Sequence, residues 1–181
     1  YRNTWLEINN PVHVAKWGTF ITTPTITNEL ANINIQTEIE NTTSTNKTIT
    51  VQTLIFSKED KELSAVSETI TVNKNEISII NQSTEIVNPK LWGLQSPYLY
   101  RAETKLFEKG NLIDIYNTSF GVRTINYGSE FGFKLNGEPT KFQGVCLHHD
   151  LGPLGTAVNK RATERQLEIM QGMGVNAIRT S

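Results

Sequence analysis

The segment "NINIQTEIE" alternates without a break: Ile33, Ile35, Thr37 and Ile39 fall on one side, Asn34, Gln36 and Glu38 on the other. Successive side chains of an extended strand point to opposite faces, so this pattern specifies a strand with one buried face. "TITVQTLIF" repeats it with Ile49, Val51, Thr53 and Ile55 in the inward set. Further strand candidates are "VHVAKWGTFITT", "AVSETITV", "EISIINQ", "PYLYRAETKLF" and "LIDIYNTSFGV". Turn-forming runs such as "NTTSTNK", "KED", "NKN" and "EKGN" divide them. Helical periodicity is missing throughout the first ~125 residues, and Thr, Asn, Ile and Val are abundant there, which suits pleated, half-buried surfaces. Short strands in this number predict an antiparallel, immunoglobulin-like β-sandwich over residues 1–127. Their uneven lengths and spacings argue against a small closed barrel.

After Tyr127 the pattern changes. "FGFKLNGEPTKFQGV" reads as two short strands around Asn136 and Gly137, a dipeptide suited to a tight hairpin. A long loop over residues 146–162 then holds Gly152, Pro153 and Gly155. "TERQLEIMQGMG" is predicted as a helix capped by Thr163, with Gln166 in the capping-box position and Gly174 as its stop. Leu167, Met170 and Met173 line one stripe, and "VNAIR" closes the chain as a short apolar strand. Strand, loop, helix and strand form a βαβ unit, whose two strands should run parallel through a right-handed crossover. One helix covers only one face of such a pair, so residues 128–181 are expected to be the opening of a larger α/β domain. The abrupt start on "YRNTWLEINN", without Met, supports reading the chain as a piece of a longer protein.

A net charge of −1 and a charged fraction of 19% provide no electrostatic footprint for nucleic acid or an anionic membrane surface. No apolar run approaches the roughly 20 residues of a membrane-spanning helix. The single cysteine excludes an internal disulfide.

That cysteine lies in "GVCLHHDLG", where Cys146, His148, His149 and Asp150 crowd together. A metal site is disfavoured, because adjacent histidines on an extended segment point to opposite sides. A thiol nucleophile would need an orienting partner beyond the histidines, and a cysteine buried in a strand is inert. Two readings remain: the histidines satisfy local backbone groups in a loop, or they rim a site at the end of a barrel strand.

The order of motifs carries a resemblance. "NPKLWGLQSPYLY", "FGVRTI", "FKLNGEPTKFQGVCLHHDLG" and "ERQLEIMQGMGVNAIRTS" together resemble glycoside hydrolase family 2, of the β-galactosidase type. The resemblance implies an immunoglobulin-like sandwich followed directly by a (β/α)8 barrel, of which residues 128–181 would be the truncated start. Where family members usually read Gly-Val-Asn-Arg-His-Glu, this chain has Gly144-Val145-Cys146-Leu147-His148-His149. It keeps His148, loses the Asn and Arg, and has His149 in place of the acidic residue. By resemblance His148 meets the sugar at the barrel mouth, while His149 and Asp150 shape the loop or join it, and Arg179 lies near the active centre. An ion-pair partner inside the barrel is the structural alternative for Arg179.

The resemblance further implies a retaining exo-glycosidase acting on an oligosaccharide or β-galactoside; no cofactor is expected, and no residue of this chain is assigned to a metal. β-Glucuronidase and β-mannosidase are alternatives within the family, and a non-catalytic carbohydrate-binding or structural sandwich module is an alternative outside the enzymes. None of the chain's glutamates stands in the motif of either catalytic carboxylate, so no catalytic residue is expected here. A periplasmic or secreted setting follows family habit, and the severed barrel edge invites self-association. Trp5, Trp17 and Trp92 are expected in core packing rather than as sugar platforms. Asn41, Asn46, Asn81 and Asn117 each open a match to the glycan acceptor pattern.

Overall fold

The computed structural model describes residues 4–148 and 150–180. They fall into two compact units, the larger comprising residues 8–126 with 135–137. Its strands are β1 (Val12–Thr22), β2 (Leu30–Asn41), β3 (Lys47–Phe56), β4 (Glu62–Val72), β5 (Glu76–Val87), β6 (Tyr100–Glu108) and β7 (Asn111–Phe120). They form two antiparallel sheets, ordered β1-β2-β5 and β4-β3-β6-β7. The fourth strand stays with the third instead of crossing to β5. The reason is local: Asp60 at φ 58° closes a tight turn over residues 57–61, where Ser57 and Lys61 share a backbone hydrogen bond of 2.9 Å. From there the β3–β4 register runs to Lys47 opposite Val72 with one irregularity beside Phe56. Lys109 and Gly110, both at positive φ, make the still shorter β6–β7 connection.

The alternating residues lie where period two places them. Ile33, Ile35, Thr37 and Ile39 are buried, as are Ile49, Val51, Thr53 and Ile55. The core nevertheless divides in two. Ile33, Ile35, Ile55, Tyr100 and Ala102 belong to one apolar cluster, and Ile39, Ile49, Val51, Ile80 and Leu106 to the other. On β2, β3, β5 and β6 the residue between the clusters is polar: Thr37, Thr53, Gln82 and Thr104. The Thr53 hydroxyl donates to Gln82 Oε1 at 2.7 Å and lies 3.3 Å from the Thr104 hydroxyl, and Gln82 Nε2 donates to the Val51 carbonyl at 3.0 Å. These bonds offset the burial of Thr53, Gln82 and Thr104, whereas the buried Thr37 hydroxyl makes no hydrogen bond among the described residues.

Two tryptophans depart from expectation. Trp17 is 85% exposed and Trp5 77%, so neither packs in the core. In β1 the register slips between Val14 and Thr19, and Trp17 sits at φ 57° with its N–H donating to the Tyr116 hydroxyl at 3.1 Å. A bulge breaks the alternation, so the sequence pattern no longer says which way residue 17 faces. Trp92 is half-buried, with the Arg123 guanidinium 4.6 Å from its ring centre.

Arg101 on β6 binds Asp60 at 2.9 Å and Glu103 at 2.8 Å, and Lys105 binds Glu103 at 2.9 Å. Hydrogen bonding from Lys105, reinforced by Arg101, holds the Glu103 carboxyl below its ordinary value of 4.5. The Ser57 and Tyr98 hydroxyls do the same for Glu59. A depressed folded-state value means these carboxylates stabilise the fold above 4.5 and lose that contribution as pH falls through the lowered value. Urea melts should therefore show level stability from about pH 5 to 7 and a decline below about 4.5, with a shallower decline in Glu103→Gln. A stability profile that is flat down to pH 3 in the parent chain would contradict this.

Beyond the sandwich come β8 (Ile125–Gly128), β9 (Gly132–Leu135) and β10 (Glu138–Pro139), in sheet order β10-β9-β8. Asn136 and Gly137, at φ 52° and 83°, form the predicted tight turn, and glycine is needed at the second of these positions. Asn136 also accepts from the Thr124 N–H at 3.0 Å and donates to the Trp92 carbonyl at 2.9 Å.

The second unit, described over residues 4–7, 127–134, 138–148 and 150–180, contains β11 (Gly144–Leu147), α1 (Lys160–Gly172) and β12 (Ala177–Thr180). β11 and β12 pair in parallel, as the βαβ reading requires. The helix starts earlier than predicted. Asn159, in an extended conformation, caps it by accepting from Ala162 N–H, and the Thr163 hydroxyl donates back to the Asn159 carbonyl at 3.3 Å. At the other end Gly174, at φ 89°, donates to Gln171, and Val175 N–H to the Met170 carbonyl, the paired bonds of a glycine stop.

Candidate functional site

The end of β11 carries the histidine cluster. Parallel register sets Gly144 beside Ala177, Val145 beside Ile178, Cys146 beside Arg179 and Leu147 beside Thr180. Both strands therefore finish at the same end, and His148 follows directly from β11. Asn176 clips the opposite end: its Oδ1 accepts from Gln143 N–H at 2.8 Å and its Nδ2 donates to the Lys141 carbonyl at 2.9 Å. With that clip the register of the pair cannot slip without breaking both bonds.

Cys146 and Arg179 are both exposed, with the guanidinium Nη1 4.0 Å from Sγ. The cysteine is thus not the buried, inert thiol assumed from its strand position. Among the described residues no carboxylate pairs with Arg179; its ion-pair alternative concerns a partner elsewhere in the barrel. His148 is exposed. His149 lies outside the described residues. Asp150 accepts the Gly152 N–H at 2.8 Å, and Leu151 N–H donates to the Gly155 carbonyl at 2.9 Å, closing a compact turn around residues 152–154. One Asp150 oxygen therefore holds the loop, which leaves the second for solvent or a ligand hydroxyl. Among the described residues no group of three His, Cys, Asp or Glu side chains is arranged to hold a metal ion.

The structure thus brings Cys146 and Arg179 side by side near the strand end, and His148 and Asp150 follow β11 in the chain. Such a set can orient hydroxyl groups by hydrogen bonding. Sequence reasoning could not have placed Arg179 against Cys146, because only the register of two strands 33 positions apart does so.

The profile of glycosyl hydrolases family 2 matches residues 12–123. The chain belongs to this family. Relatives extend the likeness through the second unit. A β-galactosidase of Bacteroides ovatus, BoGH2A, is 39% identical over all 181 residues, which cover 21% of that protein. A putative β-glucuronidase of Formosa agariphila is 34% identical over 95% of the chain and 16% of its own length. Among solved structures, a family 2 member from Bacteroides cellulosilyticus superposes with a TM-score of 0.90 at 35% identity, over 96% of this chain and 22% of that one. The β-glucuronidase of Bacteroides uniformis gives 0.85 at 30% identity, over 94% and 21%. The family 2 chain thus spans about a fifth of the length of the first of these relatives.

Proposed function

We propose that this family 2 chain is part of a retaining exo-glycosidase that hydrolyses terminal β-glycosidic bonds, β-galactosidic bonds foremost. The observation that carries this reading is the 39% identity, over the whole chain, to a protein named as a β-galactosidase. Residues 1–127 act in it as an immunoglobulin-like brace, and residues 128–181 open a (β/α)8 barrel with β11 and β12 as its first strands. Functional groups of such barrels gather at the C-terminal strand ends, which is where His148, His149, Asp150 and Arg179 stand in the chain order. They bind hydroxyls of an oligosaccharide, and the chain itself supplies no catalytic residue.

The chemistry needs two carboxyl groups about 5–5.5 Å apart, one protonating the leaving oxygen and one forming the covalent glycosyl-enzyme that water then hydrolyses. None of the chain's glutamates stands in either motif, so both groups come from elsewhere in the parent and the chain alone is silent. In the parent, further barrel strands cover the apolar side chains left exposed at Phe142 and Met173; without them the 181-residue chain self-associates through that edge. β-Glucuronidase activity is the second reading, favoured by the relatives that bear that name.

A panel of aryl β-galactoside, β-glucuronide and β-mannoside, offered to the full-length parent and to the 181-residue chain, tests both statements. Galactoside turnover by the parent and none by the chain is expected. Hydrolysis by the chain alone, or a parent inert to the whole panel, would overturn the reading.

A further inference from the structure

The outer face of the β1-β2-β5 sheet carries side chains that the glycosidase reading leaves unused. Register sets Phe20 beside Gln36 and Gln36 beside Asn81, and on the same face Thr22 beside Asn34 and Asn34 beside Ser83. All lie opposite the core, because Ile33, Ile35 and Thr37 between them point inward. Together they line a shallow depression of about 460 Å³. Phe20 is 65% exposed at its edge.

The amides are held in place by one another. Gln36 Nε2 donates to Asn81 Oδ1 at 3.3 Å, and the Ser83 hydroxyl donates to Asn34 Oδ1 at 3.1 Å. Each contact uses one side of an amide. Gln36 Oε1 remains as an acceptor, and the Nδ2 groups of Asn34 and Asn81 remain as donors. Fixed donors and acceptors in alternation, beside the face of one aromatic ring, match the vicinal hydroxyls and the C–H face of a pyranose. Three strands span about 10 Å, roughly the length of a disaccharide.

Charge defines the ligand further. None of the residues lining the depression is ionisable. The outer face of the other sheet is the reverse, with Arg101, Glu103 and Lys105 joined in an ion network. Glu85, paired with Asn32 at 3.5 Å one row beyond the depression, adds only negative charge. An acidic sugar would meet no cation here.

We infer that the Phe20, Asn34, Gln36 and Asn81 face of the β1-β2-β5 sheet is a binding surface for a neutral oligosaccharide. Phe20 stacks on one ring, and the two amide rows hydrogen-bond the hydroxyls of that ring and its neighbour. The site does not rest on the barrel reading, since no residue beyond 126 takes part, and either proposal can fail without the other.

The test is titration of the isotope-labelled 181-residue chain, followed by NMR, with β-1,4-galactotetraose, with cellotetraose, and with an acidic tetrasaccharide of β-linked glucuronate. Saturable shifts confined to residues 20–22, 34–36 and 81–83 are expected for at least one neutral chain, with a Kd on the order of 1 mM. Phe20→Ala and Asn81→Ala should each weaken it about tenfold. Ile115→Ala, exposed on the other sheet, should leave it unchanged. No shifts at about 20 mM sugar, which is well above the expected Kd, would overturn the inference. So would shifts centred elsewhere, binding that Phe20→Ala does not weaken, or equal affinity for the acidic chain.

Discussion

Asn41→Ala should lower the unfolding free energy of the 181-residue chain by about 3–5 kcal/mol, a large part of the total for a domain of this size. Asn41 ends β2 and is fully buried. Its Nδ2 donates to the carbonyls of Thr45, Val72 and Asn73 at 2.9, 3.1 and 3.1 Å. Its Oδ1 accepts from the Thr43 N–H at 3.0 Å and the Thr43 hydroxyl at 2.7 Å. One side chain thus ties β2, in one sheet, to the end of β4 in the other, and closes the β2–β3 loop. Truncation removes the partner of several groups at once and leaves them in an interior where water cannot replace it. Asn41→Asp should be as harmful, because it exchanges the donors for a charge facing carbonyl oxygens. Urea melts read the effect as a fall in midpoint at unchanged slope. A loss below about 1 kcal/mol, the value of one ordinary hydrogen bond, would show that the clamp is not structural. The same burial means that Asn41, despite its Asn-Thr-Thr context, cannot carry a glycan in the folded chain.

In the full-length parent, His148→Ala should reduce kcat/KM for the aryl β-galactoside about a hundredfold while leaving the melting temperature within about 2 °C. The side chain is exposed at the end of β11, so its removal opens no cavity and should leave stability intact. A donor that strengthens its bond to a sugar oxygen as charge develops contributes mainly to the transition state, so kcat should fall more than KM rises. His148→Gln keeps a donor of similar reach and should recover part of the loss. Activity within twofold of the parent would remove His148 from the site and return it to the reading in which it serves the loop alone.

The strands, their number and their inward sets were legible because half-burial imprints a period of two on each one separately. The Asn136 and Gly137 turn and the glycine stop at Gly174 were legible for a like reason, since positive φ leaves a residue-type signature. The motif around His148 carried the family, and the match over residues 12–123 with full-length relatives supports it. Less was legible where the signal was not local. Asn159 lies just outside the helical pattern, so Thr163 drew the capping assignment. Trp17 looked like a core residue until the bulge in β1 turned it outward.

Pattern alone determined that this chain builds strands with one apolar face, then a single strand–helix–strand unit, because those preferences reside in a few adjacent residues. Tertiary structure alone decided that β4 remains with β3, that Thr37, Thr53, Gln82 and Thr104 meet in one polar layer, and that Arg179 stands over Cys146. Each of those depends on which strands become neighbours and in what register, and a pairing energy shared between distant segments leaves no periodic mark on either one.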